Sequence, residues 1–387
     1  MIKKTLCVLL SLMFALTACQ KKAEENQAPQ EEEIVDTTPE VITQSSIKVG
    51  GILPLSGDAA SYGEAVKNGA TLAAEEINAM NKPYTLELDI RDDRANVEDA
   101  VEIYNTLKQE QAQVILGPFT NSCAEQVRKT SPNDKLLHLL VSTTEEKLTG
   151  GKNKNVFRFC YNNKAKGEAA ADYMLKNGIT QAAILYESSD TYSKALKQAF
   201  SDRFKQGGGT VVVEEYFAKG DRDFKTQADR FKKYNFKAVF MPIYYTQAQE
   251  ILLQFKKYGI ETQYFGGEKW YGIVEQVEGN FGYIEGSKFL QTYLSEAQNQ
   301  KNTDFVKKYK EKYGTAPDEY AACAYDAIYA VSLAAENCKD GYSGLKLAEE
   351  MAGIKVEGVT GTFSFKDGEI QKDTAFVTVE KGTYKCE

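Results

Sequence analysis

The chain has 387 residues, which is long enough for two domains, and its hydrophobic content of 42% allows a sizeable core. The formal net charge of −8 argues against a nucleic-acid-binding protein, because such proteins need a basic face. The single histidine, His138, lies in the apolar run 136–141, where a buried core residue is expected rather than a catalytic one.

Residues 1–18 have the pattern of a signal peptide, which is removed from the mature chain. Two lysines precede an apolar run, 6–16, that is too short to span a bilayer. The run ends in Leu16-Thr17-Ala18-Cys19, which is similar to a bacterial lipobox, where a peptidase cuts before an acylated cysteine. This similarity implies a mature protein that begins at a lipidated Cys19. An ordinary signal peptide that happens to contain Cys19 is the alternative.

The segment 19–46 is predicted to be an acidic, solvated tether. Acidic residues outnumber lysines there, bulky apolar residues are few and no periodicity is present. Signal and tether together predict an exported protein that is anchored to a membrane by its lipid. The anchor would lie in a periplasm or on the outer face of the cytoplasmic membrane.

Five cysteines remain once Cys7 is cleaved away and Cys19 is acylated, and these are Cys123, Cys160, Cys323, Cys338 and Cys386. The odd number leaves at least one thiol unpaired or paired between molecules. Their spacing fits no metal site. Export permits a disulfide, and Cys338 with Cys386 is the candidate pair.

Strands and helices alternate from residue 47 onwards. The first series has helices at 63–79 and 98–110 and strands at 47–53, 84–90, 114–116 and 136–141. The order βαβαβαβ predicts a parallel sheet layered by helices.

Two strands of this series, 114–116 and 136–141, end in small polar residues. Ser122 with Glu125, and Thr143 with Glu146, have the Ser/Thr-x-x-Glu spacing of a capping box. Each box alone could simply cap a helix. Ligands of open α/β sheets bind past the carboxyl ends of strands, where free N–H groups suit a carboxylate. Two boxes at successive strand ends therefore favour a binding site.

A second series begins near residue 160. Its strands are predicted at 157–161, 182–186, 210–214, 238–243 and 263–265, and its helices at 167–177, 194–206, 224–234 and 247–258. From 286 the pattern changes to helices at 304–313 and 319–337, a hairpin at 361–370 and a last strand at 376–380. The α/β architecture is thus predicted to be built twice.

The globular part opens with IKVGGILPLSGDAASYGEAVKNGATLAAEEINA, which includes Ser56-Gly57 and Tyr62-Gly63. In this stretch the chain resembles the branched-chain amino-acid binding proteins of bacterial ABC importers, the type I periplasmic-binding-protein family, and the resemblance runs over residues 47–380. It implies two Rossmann-like lobes with parallel sheets, joined by three crossover segments near residues 160, 286 and 361, which close like a clamshell. The first lobe would hold 47–159 and 286–360, and the second 160–285 and 361–387.

The resemblance also implies a ligand site on the first lobe. Asn121 stands where the family has a serine that bonds the ligand carboxylate. Ser142, Thr143 and Thr144 match a turn whose N–H groups and threonine hydroxyl hold the carboxylate and amino group.

On the second lobe, Tyr192 and Tyr244 match aromatic residues that cover the ligand. Glu268 matches the acid that accepts a hydrogen bond from a ligand ammonium. A buried zwitterion needs such a partner, since an unpaired buried charge is costly. A surface salt bridge is the alternative role for Glu268. Five aromatic residues could either line the pocket or pack in the core, and these are Tyr62, Phe119, Trp270, Tyr271 and Tyr320.

The implied function is an extracytoplasmic solute receptor that delivers a small amino acid, branched-chain or otherwise apolar or aromatic, to ABC permease subunits. We expect no cofactor, no metal and no nucleic-acid partner. A lipid-anchored ligand sensor, or a binder of another solute such as an amide, is the alternative. An enzyme is not supported, because the chain has no G-x-S-x-G elbow and no metal-ligand spacing.

Overall fold

The structure is a computed structural model that describes residues 45–131, 133–277, 279–295, 299–372 and 375–386. The predicted signal peptide, the lipidated cysteine and the tether up to residue 44 lie outside the described residues. Ser45 and Ser46, predicted as the end of the tether, instead begin the first strand. In the described ranges no helix combines the length and apolar character that crossing a membrane requires.

Strands and helices alternate along most of the described chain. The strands are β1 (Ser45–Leu53), β2 (Tyr84–Asp92), β3 (Val114–Leu116), β4 (Leu137–Leu140), β5 (Val156–Arg158), β6 (Gln181–Glu187), β7 (Thr210–Phe217), β8 (Ala238–Met241), β9 (Gln263–Gly266), β10 (Lys288–Gln291), β11 (Val356–Gly358), β12 (Gly361–Lys366), β13 (Glu369–Lys372), β14 (Ala375–Glu380) and β15 (Thr383–Cys386). The helices are α1 (Ala60–Asn78), α2 (Val97–Gln109), α3 (Asn121–Thr130), α4 (Asn163–Lys176), α5 (Thr191–Gln206), α6 (Lys225–Phe231), α7 (Tyr245–Lys257), α8 (Gln300–Tyr313), α9 (Glu319–Asn337) and α10 (Gly344–Met351).

The first sheet has eight strands in the order β11-β12-β13-β5-β4-β3-β1-β2. Its five N-terminal strands pair in parallel. Strands β3, β4 and β5 are buried throughout, as expected when helices cover both faces of a parallel sheet. Helices α1, α8, α9 and α10 contribute to the apolar cluster on one face, and α2 and α3 to that on the other. We call this sheet and its helices the first lobe.

The second sheet has seven strands in the order β15-β14-β10-β9-β8-β6-β7. Strands β6 to β10 pair in parallel, whereas β14 and β15 are antiparallel additions. Helices α4 and α5 pack on one face, and α6 and α7 on the other. This sheet and these helices form the second lobe, so the predicted α/β fold with two Rossmann-like lobes is confirmed.

The strands place the lobe boundaries differently from the prediction at two points. Strand β10 belongs to the second sheet, because it pairs with β9 and β14, although 286–360 were predicted for the first lobe. The hairpin β12–β13 belongs to the first sheet, because Glu369 pairs beside Arg158 of β5, although 361–387 were predicted for the second lobe. The chain therefore passes between sheets after β5, after β10 and between β13 and β14.

The described cysteines correct one further prediction. Cys338 is a free thiol that donates to the carbonyl of Ala334 at 3.4 Å, so the candidate disulfide with Cys386 is wrong. The two residues sit on different lobes, since Cys338 follows α9 and Cys386 ends β15. His138 is buried beside Asp134, with 2.7 Å between Nε2 and Oδ2, and its predicted core position is confirmed.

Candidate functional site

A cavity of about 250 Å³ lies between the two lobes, where the carboxyl ends of their parallel strands face each other. Both lobes and the first crossover segment contribute to its lining, which consists of Ser142, Thr144, Cys160, Tyr161, Asn163, Lys166, Thr191, Tyr192, Tyr244, Glu268, Lys269, Glu319 and Tyr320. Open α/β sheets bind their ligands at this edge. The cavity is therefore the candidate site.

On the first lobe, the predicted donors are partly engaged with one another. The Asn121 amide accepts from the backbone N–H of Thr144 at 2.9 Å and donates to its Oγ1 at 3.2 Å. Asn121 is not among the cavity-lining residues, and it acts as a brace for Thr144. Because Thr144 Oγ1 accepts this bond, its hydroxyl proton stays available to a ligand. Ser142 lines the cavity but donates its hydroxyl to the carbonyl of Phe119 at 2.5 Å.

Neither predicted capping box forms. The N-cap of α3 is Thr120, whose hydroxyl accepts from the backbone N–H of Cys123 at 3.3 Å. After β4 there is only a short 3-10 helix, Glu146–Leu148, capped by Glu145. The Thr143 hydroxyl does not cap it, because that hydroxyl accepts from Arg158 Nη1 at 3.2 Å.

Arg158 explains why Thr143 does not line the cavity. Its fully buried guanidinium donates to the carbonyls of Thr143 and Glu145 and pairs with Glu369, with 2.6 Å from Nη2 to the Glu145 oxygen. The buried Arg158 side chain thus fixes the turn that carries Ser142 and Thr144. Arg158 was not predicted, although a charged residue inside the apolar run FRFCY was a signal for it.

On the second lobe, Glu268 already has partners for both carboxylate oxygens. Lys166 Nζ lies 2.7 Å from Oε1, and the Tyr192 hydroxyl donates to Oε2 at 2.9 Å. Glu268, Lys166 and Tyr192 are all buried. Glu268 follows β9, Lys166 lies on α4 and Tyr192 lies on α5. All three belong to one lobe, so their contacts do not depend on how the lobes are oriented.

Burial and charge act in opposite directions on this ion pair. Burial alone would raise the pKa of the Glu268 carboxyl, but the Lys166 ammonium outweighs it and holds that pKa below its usual value. Burial alone would lower the pKa of Lys166, but the carboxylates of Glu268 and Glu319 raise it. Both groups are therefore charged at neutral pH.

Lys166 was not predicted either. It lies in the lysine-rich start of α4, where Lys164 is exposed and only Lys166 turns inwards. Gly167 allows α4 to approach α5 closely, because a Cβ at that position would meet the Leu196 carbonyl at 2.6 Å. This contact between α4 and α5 decides which lysine faces the cavity. The amino-acid composition of the helix does not predict it.

Two further charged residues line the cavity without having been predicted. Lys269 has no ion-pair partner among the described residues, and its Nζ lies 6.0 Å from the centre of the Tyr244 ring. Glu319 is the first residue of α9, and its carboxylate accepts a hydrogen bond from the Thr292 hydroxyl. Thr292 directly follows β10, so this contact reaches the second crossover segment.

The predicted aromatic residues divide into wall and core. Tyr192, Tyr244 and Tyr320 line the cavity. Tyr62 and Phe119 do not, but they pack against Tyr320 with ring centres 5.5 and 5.2 Å away.

The remaining two predicted aromatic residues belong to the second lobe. Trp270 is fully buried in that lobe's core cluster and is not a wall residue. Tyr271 stacks on Tyr384 with ring centres 5.0 Å apart and is not part of the cavity lining.

The candidate site thus combines tyrosine faces with two cations, two carboxylates and a free hydroxyl proton. Such a set suits the binding of a small solute with a polar head and an apolar body. In the described part of the chain, no group of three potential ligands could hold a metal ion.

Comparison with known proteins agrees with this architecture. The sequence model of the family described as "Periplasmic binding protein" matches residues 46–383. A Leu/Ile/Val-binding protein of Rhizobium johnstonii is 27% identical over 335 residues, which cover 84% of this chain and 85% of the relative.

Two solved structures show the same fold. The branched-chain amino acid transporter substrate-binding protein of Streptococcus pneumoniae, in complex with isoleucine, has a TM-score of 0.66 at 25% identity, covering 89% of this chain and 99% of that one. An ABC transporter protein from Rhodospirillum rubrum has a TM-score of 0.82 at 22% identity, covering 88% of this chain and 100% of that one.

Proposed function

The chain belongs to the periplasmic binding protein family, and from that premise we propose that it is the solute receptor of an ABC importer. It would bind a small solute with a carboxylate head and an apolar body between its lobes, and deliver it unchanged to permease subunits. The observation that carries this proposal is the cavity itself, which both lobes line with tyrosine rings, hydroxyl groups and charged side chains.

The three crossings support closure of the lobes on the solute. Tyr161 donates its hydroxyl to the carbonyl of Lys372 at 2.6 Å, and Lys372 Nζ donates to the carbonyl of Thr292 at 3.2 Å. These residues follow β5, end β13 and follow β10, so the three crossings lie side by side. Adjacent crossings of this kind form a hinge about which two lobes can rotate.

Two classes of ligand are candidates. An apolar amino acid, branched-chain or aromatic, is favoured by relatives whose names and bound ligands are of that class. A solute without an ammonium group is favoured by one specific observation, the ion pair between Glu268 and Lys166. A receptor for either class would use the same cavity.

We further propose that the protein is exported and held at the membrane by a lipid on Cys19. The support is the sequence 16–19 together with the acidic segment behind it. A lipid-anchored sensor of the same fold remains the second candidate function. The presence of permease and ATPase genes beside this one would favour the importer.

The receptor proposal is tested by identifying the solute that the purified mature chain retains. Denaturation followed by mass spectrometry should release one small solute in unmodified form, and calorimetry should measure its rebinding. Thr144→Ala should weaken rebinding about three- to tenfold, since it removes one hydroxyl donor. Tyr271→Ala, outside the cavity lining, should leave the affinity unchanged. A chain that retains no solute, and binds none from a panel of amino acids, organic acids and amides, would contradict the proposal.

A further inference from the structure

We propose that the cavity selects a small carboxylate with an apolar body and no α-ammonium group, because the chain's own Lys166 already supplies Glu268 with an ammonium partner. The inference rests on the proposed receptor function and specifies the class of its ligand. Lys166 is then the residue that determines this specificity.

Both carboxylate oxygens of Glu268 already have a partner within the chain. Lys166 Nζ takes one carboxylate oxygen at 2.7 Å and the Tyr192 hydroxyl takes the other at 2.9 Å. A methyl group on Gly267 would meet the Tyr192 hydroxyl at 2.3 Å, so the glycine allows this tyrosine to reach the acid. The arrangement belongs to one lobe and is complete before any closure.

An ammonium ligand would be repelled at this point. To bond Glu268 it would have to lie beside Lys166 Nζ, and like charges at that spacing disfavour each other. Displacing Lys166 instead would leave a buried lysine without its partner, which is strongly unfavourable. Either route reduces the affinity for an amino acid relative to the same molecule without its ammonium group.

A carboxylate finds better partners in the cavity. Lys269 has no ion-pair partner among the described residues, and Thr144 has a hydroxyl proton to donate. The remaining acid, Glu319, accepts from Thr292 at the second crossing, so one of its oxygens is engaged. It is nevertheless the alternative place for a ligand ammonium, and the test includes it.

Calorimetry with matched ligand pairs tests the inference on the full mature chain. Leucine is compared with 4-methylpentanoate, and phenylalanine with 3-phenylpropanoate, since each pair differs only in the ammonium group. We expect the acid without the ammonium to bind at least tenfold more tightly in the pair whose apolar body fits. Lys166→Met should reverse or remove this preference, because Glu268 then faces the ligand unpaired. Lys164→Met, an exposed lysine on the same helix, should retain it.

The wild-type comparison decides the matter even if Lys166→Met does not fold. Tighter binding of either amino acid than of its matched acid overturns the inference and leaves the receptor function intact. Loss of that amino-acid binding in Glu319→Gln would then place the ammonium at Glu319. Retention of an uncharged solute, with no binding of either acid, also overturns the inference alone. Failure to bind any solute overturns both the inference and the receptor proposal.

Discussion

The chemistry of the cavity depends on which charged side chains already have partners. The family resemblance predicted that the Glu268 carboxylate binds a ligand ammonium. In the structure, this carboxylate forms an ion pair with Lys166, and the pair has no net charge. Lys269 has no ion-pair partner among the described residues, whereas Glu319 accepts a hydrogen bond from Thr292. The class of ligand that such a cavity binds therefore depends on the partner of each charged side chain in it.

The pH dependence of stability should change sign when Lys166 is removed. In the wild type the pKa of Glu268 lies below its ordinary value of 4.5, so the pair stabilises the fold above that pH and the stabilisation is lost as pH falls through the lowered pKa. In Lys166→Met, burial raises the pKa of Glu268 and is opposed only by Lys269 and the Tyr192 hydroxyl. The variant should be about 3–5 kcal/mol less stable at pH 7 and should regain stability as pH falls through the raised value.

Urea unfolding at pH 7 and pH 5 measures this difference, with Lys164→Met as the control. Adding Glu268→Gln to Lys166→Met should restore part of the stability at pH 7, since neither position of the former pair then carries a charge. If Lys166→Met had the same pH profile as the wild type, Glu268 would not depend on Lys166 for its charge.

A position in the cavity lining was predictable where the family resemblance marked a residue near a strand end, and not where packing decides. Glu268 and Thr144, both indicated by that resemblance, lie shortly after predicted strands and line the cavity. Thr143 and Trp270 are neighbours of such residues in sequence but point into the protein interior. One position along a chain reverses the direction of a side chain, and the sequence carried no signal for the direction.

Secondary-structure elements were largely predictable because apolar periodicity and strand length agree. The exceptions are the ends of elements, where local signals compete with tertiary contacts. Thr120 and not Ser122 caps α3. The capping box predicted after β4 does not form, because Arg158 engages the Thr143 hydroxyl, and only a short 3-10 helix follows.

The Arg158 contacts predict a test of how this turn is held. Lysine at position 158 keeps the charge but lacks the planar fork that reaches Thr143, Glu145 and Glu369 together. Arg158→Lys should lower the free energy of unfolding by about 3 kcal/mol, since at least two hydrogen bonds from a charged donor are lost. It should also weaken solute binding, because Ser142 and Thr144 lie on the same turn.

Arg94→Lys is the matched control for thermal unfolding and calorimetry. Arg94 pairs with Asp99 at 2.6 Å on the surface, where an exposed ion pair contributes about 0–1 kcal/mol. An equal, small effect of both substitutions would show that Arg158 is not needed to hold the turn.

On the scale of the whole molecule, the sequence predicted two lobes but misplaced two of the three passages between them. Strand β10 and the hairpin β12–β13 were assigned to the wrong lobes. Strand β10 pairs with β14, and β13 pairs with β5, and both of these partners are distant in sequence. Pairing partners of that kind leave no local pattern. The passage after β5 follows a change that is visible along the chain, the start of a second α/β series.

The lipid anchor is a whole-molecule prediction that rests on the sequence 16–19. Cys19→Ala should prevent acylation, so the protein should move from the membrane fraction to a soluble or unprocessed form. Metabolic labelling with a palmitate analogue, followed by detergent partition, measures both effects. Cys7→Ala is the control, since that cysteine lies in the segment to be removed. A Cys19→Ala protein that is processed and partitions into detergent as before would refute the anchor.

Closure of the two lobes on a solute is the central claim, and small-angle X-ray scattering tests it most directly. The mature chain is measured after removal of the retained solute by denaturation and refolding, and again with that solute at saturation. Rotation about the three adjacent crossings should decrease the radius of gyration when the solute is present. An unchanged radius of gyration, in a sample for which calorimetry shows full occupancy, would contradict the account.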